Sequence, residues 1–158
     1  MTPLDFIFLT ICLVLTVFSA FLALAEVALT RMSRAKALSL REDKRRGAVK
    51  LLKLVDKPEN WMNPLIFLLL VATSVSAVLL SAVLDRYGVA GTIGAVVVNV
   101  LVFFVFAEAA PKTWSLQHTE RAALFTAPLI SAVVDFWPLR MIARGLIGLS
   151  NVYCPVKE

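Results

Sequence analysis

Charged residues cut this chain into long apolar blocks, and the blocks predict its elements directly. No charge falls between Phe6 and Ala25, between Asn60 and Leu84, or between Tyr87 and Ala107. Each block reaches the roughly 20 residues that a helix needs to cross the hydrocarbon core of a bilayer. The pattern predicts three spans, over about 4–30, 62–84 and 90–112. A fourth apolar stretch, Ala122 to Val134, is thirteen residues long before Asp135, and Pro138 follows. That is short for a span and fits a re-entrant hairpin over about 121–151, with four full spans as the competing count. Asn63-Pro64 suits an N-cap with proline at the first helical position and predicts where the second span starts.

Composition agrees with the blocks. Hydrophobic residues make up 59% of the 158 positions and mean hydropathy is +0.83, which excludes a soluble globule. The expected fold is an all-α integral membrane protein, a single transmembrane domain over 1–158 with a re-entrant or juxtamembrane hairpin and a basic amphipathic helix. The first apolar run follows Asp5 instead of a positive region and is too long for a cleavable leader, so it reads as a retained span. Cys12 and Cys154 have no paired spacing, which points away from a disulfide framework or a metal cluster.

Charge sets the expected orientation. Ten of the sixteen Lys and Arg residues lie between Arg31 and Lys57, and the positive-inside rule places that loop in the cytoplasm. The N-terminus is then outside, Asp85-Arg86-Tyr87-Gly88 is a short external turn, and the C-terminus is cytoplasmic in a multi-pass protein of the plasma membrane. Arg140, Arg144 and Lys157 would be stranded outside by a full fourth crossing, which favours the re-entrant hairpin. Within the loop, Val49, Leu51, Leu52, Leu54 and Val55 alternate with Lys50, Lys53 and Lys57. That pattern predicts a juxtamembrane helix over about 40–57 lying on anionic headgroups. Nucleic acid is not an expected partner, because the aromatic interleaving of single-strand binders is missing.

Candidate chemistry centres on Glu108, which closes the third block three residues before Pro111. A carboxylate near the bilayer core costs roughly 2.5–3.5 kcal/mol on insertion scales, so it reads as functional by default. Pro111 lacks an N–H and in an α-helix leaves the carbonyl of Ala107 without its donor. A carboxylate and a free carbonyl side by side are hard oxygen ligands for Mg2+, Ca2+ or Na+. The plainer alternative is a glutamate at the water interface beside a helix kink.

Other polar residues are less decisive. Thr16, Ser19, Ala23, Glu26 and Thr30 fall within an arc of about 80° on the first helix. Such a stripe serves helix packing as readily as ion binding, and Glu26 has Arg31 and Arg34 within reach as partners. Thr73, Ser74 and Ser76 sit mid-span, either as neutral ligands or as hydroxyls bonded to their own helix. Asn99 lies half a turn from the Glu108 face, so it is not an obvious co-ligand and a dimer contact is equally open. His118 is the single histidine. With no Ser/His/Asp set, phosphate-binding glycine loop or facing catalytic carboxylates, no enzyme is expected.

Two segments resemble a known family. Phe21-Leu22-Ala23-Leu24-Ala25-Glu26-Val27-Ala28-Leu29 leads into a basic segment, and Ala107-Glu108-Ala109-Ala110-Pro111-Lys112 ends a span. Both are similar to motifs of the transmembrane domain of the cyclin-M/CorC magnesium transporters, the second to Gly-Glu-x-x-Pro-Lys. Gln117 to Ala122, Pro128 and Trp137-Pro138 extend the likeness over nearly the whole chain. The resemblance implies a homodimer that binds a dehydrated Mg2+ in each subunit and works by alternating access. It also implies ligands from first-span serines, a second-span asparagine, and the third-span glutamate with the carbonyl before it.

Carried over by position, Glu108 and the Ala107 carbonyl match, and Pro111 and Lys112 complete the motif as structural or gating residues, with Glu26. Ala23 and Ala25 stand where the family has serines, and Ser19, one turn earlier, is the substitute. Ala72 to Ala77 replaces Gly-Asn-x-x-Val-Asn, leaving Thr73 and Ser74 as the nearest oxygen donors. The expected ligand set is therefore Glu108, Ala107, Ser19, Thr73 and Ser74, and the expected function is Mg2+ transport. A scaffold that has lost the ion site and a Na+-coupled variant are the alternatives. Family members usually carry cytoplasmic regulatory modules after this domain, and those are expected to be absent from this sequence.

Overall fold

The computed structural model describes residues 3–136, together with Met141 and Gly145. Among the described residues every regular element is helical. In chain order these are α1 (Pro3–Arg31), α2 (Arg34–Glu42), α3 (Ala48–Asp56), α4 (Glu59–Leu84), α5 (Gly88–Val102), α6 (Ala110–Gln117) and α7 (Thr119–Asp135). A 3-10 turn, Asp85–Tyr87, joins α4 to α5, and a π-helical segment, Phe103–Ala109, joins α5 to α6. Among the described residues, three helical runs are long and apolar enough to cross a membrane: Pro3–Arg31, Glu59–Leu84 and the composite Gly88–Gln117, with mean hydropathy of 2.7, 2.5 and 2.5. The all-α membrane architecture with three spans is as the charge pattern predicts.

Each break has a local cause. After α1, Ser33 is extended (φ −77°, ψ 151°) and its side chain accepts the Lys36 N–H at 3.3 Å, capping α2. The basic region expected as one helix over 40–57 is two, parted at Lys44 (φ 54°) and Gly47 (φ 85°). Gly47 is required there twice over. Its φ suits a residue without a side chain, and a Cβ would stand 2.8 Å from the Leu124 carbonyl oxygen of α7. The apolar face of α3, through Ala48, Leu51 and Leu54, is buried within the protein, and α3 packs on α7. Those three residues are therefore not available to lie on headgroups; Val49 looks outward beside Lys50 and Lys53.

The second span starts earlier than Asn63-Pro64. Its helix begins at Glu59 and Pro64 lies inside it. A tertiary bond accounts for the difference: the Trp61 indole Nε1–H donates to the Leu54 carbonyl at 2.9 Å, and the side chain is 1% exposed. The end of α3 thereby anchors the first turn of α4 before the proline is reached. The first arm of the expected hairpin is α7, which buries Ala122, Ala123, Thr126, Ala127 and Ile130 while α1 and α3 pack against it. The second arm, including Trp137 and Pro138, lies outside the described residues.

One buried core gathers at the basic end. It joins Leu22, Ala25, Ala28 and Leu29 of α1, Leu51 and Leu54 of α3, Trp61 and Leu65 of α4, and Ala123, Ala127 and Ile130 of α7. Fully burying each leucine or isoleucine there contributes about 1.5–3 kcal/mol. This base holds α1 still against α6, where the candidate site lies.

Candidate metal centre

The third span changes register just where Glu108 sits. From Phe103 to Ala109 the helix is π-wound, ending with the Ala110 N–H on the Val105 carbonyl, five residues back. Such bulges are frequent at functional sites. Pro111 follows in the first turn of α6, where it has no N–H to return to the turn before it. Ala107 itself is fully buried, and the π segment packs along α1.

Glu108, Lys112 and Ser115 recur at i, i+4 and i+7, which places them on one helix face. That face meets α1. The Ser115 hydroxyl is fully buried and donates to the Leu24 carbonyl at 3.0 Å, tying α6 to α1. Three residues back along the helix, Lys112 Nζ lies 3.4 Å from Glu26 Oε2 of α1 and 3.9 Å from Glu108 Oε2. The Glu26 partner is thus Lys112, not Arg31 or Arg34; Arg34 pairs with Asp56 at 2.7 Å. Glu26 Oε2 is closed off from solvent yet has no hydrogen-bond donor.

Ser19 lies seven residues before Glu26 on α1, roughly 10 Å along the helix axis. It is fully buried, and its hydroxyl has no hydrogen-bond partner. Buried hydroxyls are normally satisfied, so this oxygen is an open valence inside the bundle. Thr73 is half-buried and donates to the Leu69 carbonyl at 2.8 Å, which leaves its oxygen free to accept. Ser74 is exposed. The buried positions of α4 run Trp61, Leu65, Ala72, Ser76 and Val83, which turns Ser76 inward and Ser74 to the opposite side.

Ser76 and Asn99 form a pair that the sequence did not suggest. The Ser76 hydroxyl donates to Asn99 Oδ1 at 3.1 Å, and both residues are buried. Asn99 is thereby engaged within one chain, between α4 and α5. With Cys12 and Thr16 this pair forms the polar part of an otherwise apolar cavity of about 550 Å3, which reaches Phe103 and Phe106 of the π segment. His118 stacks on Trp114 with ring centroids 5.0 Å apart. Among the described residues no group of three or more His, Cys, Asp or Glu side chains is placed to hold a metal. Any ion here would depend on one or two carboxylates supplemented by hydroxyl and backbone oxygens, a donor set for hard cations.

The family model for the Cyclin M transmembrane N-terminal domain matches residues 9–153. The chain belongs to this family. Consistent with that, it is 35% identical over 136 residues to a UPF0053 protein of Haemophilus influenzae. The match takes in 85% of this chain but 32% of that relative, so this Cyclin M domain spans about a third of the relative's length.

Proposed function

We propose that this Cyclin M domain is the membrane part of a divalent-cation transporter, with Mg2+ as the transported ion. The observation that carries the reading is a carboxylate, Glu108, set in a π-helical break of a membrane span whose π segment packs along α1. Glu108 and the Ala107 carbonyl supply charge and a backbone oxygen. Ser19, whose buried hydroxyl has no partner, is the first-span ligand, and Thr73 adds a neutral oxygen from the second; Ser74, exposed on the far side of α4, is dropped from the expected set. With so few protein ligands, Mg2+ keeps part of its water shell. The domain works as a homodimer in the plasma membrane, with its N-terminus outside and its basic end in the cytoplasm. The exposed side chains of Arg41, Lys44, Arg45, Arg46, Lys50 and Lys53 face anionic headgroups there.

The test is the melting temperature of the purified protein with and without Mg2+. A rise with Mg2+ that disappears in Glu108→Ala supports the reading, and equal melting with and without the ion sinks it. A second reading, a scaffold that no longer transports, draws on the same lysine: Lys112 offsets the Glu108 charge, and alanines stand at 23 and 25. Cation flux into liposomes separates the two, since a scaffold passes none. The same assay run with Na+ gradients examines the Na+-coupled variant.

A further inference from the structure

Lys112 stands between two carboxylates from different spans. Its ammonium is 3.4 Å from Glu26 Oε2 and 3.9 Å from Glu108 Oε2, and all three side chains are more buried than exposed. Neither contact is a short ion pair. One ammonium is shared loosely between oxygens of two helices, as a free cation between them would be. The Glu26 oxygen, shut off from water and without a hydrogen-bond donor, has this positive charge as its compensation.

We infer that the Lys112 ammonium is a tethered occupant of the cation site, holding Glu26 and Glu108 until a divalent ion displaces it. The inference rests on the cation-binding reading above and adds to it a second carboxylate ligand, Glu26, and a competitor built into the chain. The competitor also confers selectivity. Exchanging one monovalent charge for another between the same carboxylates gains no Coulomb energy, so Na+ has little advantage over the lysine already there. A divalent ion doubles the charge facing both oxygens and overcomes the tether. Lysine suits the role because its ammonium is a point charge on a flexible four-carbon stem, able to swing aside without unfolding the helix.

The experiment uses the full chain in detergent, freed of metal by chelation and then titrated with Mg2+. An amine-acylating reagent reports on Lys112, with exposed Lys53 as the internal reference and peptide mass spectrometry as the readout. Acylation of Lys112 is expected to rise severalfold with Mg2+ while Lys53 stays constant. If the tethered form is the main ion-free state, Lys112→Met lowers the Mg2+ concentration for half-maximal thermal stabilisation by about tenfold. The same variant gains a response to Na+, and Glu26→Gln weakens the response to Mg2+.

Constant Lys112 acylation across a range where Mg2+ raises the melting temperature overturns the inference and leaves the cation site standing. No Mg2+ response in either melting or acylation overturns both. If Lys112→Met does not fold, acylation of the wild-type chain decides alone.

Discussion

The basic end of the molecule and the far half of its spans are held together by different means. At the basic end, apolar side chains from α1, α3, α4 and α7 close into one core around Leu22, Leu51, Trp61 and Ile130, each no more than 1% exposed. Toward the Asp85 turn, few side chains are buried, and a polar pair, Ser76 with Asn99, sits beside a cavity of about 550 Å3. Val78, Ile93, Leu101 and Phe104 face outward there. The difference follows from the solvent each end expects. Water drives apolar groups inward, whereas lipid offers them equal comfort outside, so spans meet through small and polar residues instead. Glu108 lies on the helix that joins the two regimes, one end fastened to the base by Ser115 and the other reaching the looser half.

The comparison breaks most visibly at the base. Trp61→Ala removes a fully packed indole and its bond to Leu54, and should cost about 3–5 kcal/mol, read as a shift in denaturant unfolding in micelles. An unchanged midpoint would mean the base is not the stabilising region. Gly47→Ala should cost about 1–3 kcal/mol, because a Cβ would press the Leu124 carbonyl of α7 at 2.8 Å. Its thermal unfolding should loosen α3 and α7 before the spans.

The far half should respond more weakly. Asn99→Leu takes away the acceptor of the Ser76 hydroxyl, and buried bonds between spans average about 0.6 kcal/mol with a ceiling of about 1.7. A loss as large as that of Trp61→Ala would erase the proposed contrast. The smallest effect belongs to the solvated pair of Lys36 and Glu120, 2.8 Å apart. The hydrogen bond to Glu120, and then its charge, raise the Lys36 pKa above the ordinary 10.5. A raised lysine stabilises the fold below 10.5 and loses that contribution as pH climbs through the higher folded value. Lys36→Met should therefore shift melting little at neutral pH and not at all in strong alkali.

Much of this protein could be read from the order of its residues. Charges at Glu26, Glu59, Asp85 and Glu108 mark out the spans, because an apolar helix in lipid must satisfy its backbone internally and tolerates few charges. The spacing of Glu108, Pro111 and Lys112 marked the candidate centre, and the motifs around Glu26 and Glu108 marked the family. Helical periodicity tells which side of a helix a residue takes, but not which neighbour it meets. Only the packed chain decided that Lys112 reaches Glu26 as well as Glu108, that Ser115 seizes Leu24, and that Trp61 starts α4 ahead of Pro64. The π-wound turn also escaped the sequence, since a fixed 100° step assumes one register throughout. Those features come from contacts between residues far apart in the chain, where geometry and solvent, rather than local pattern, choose the partner.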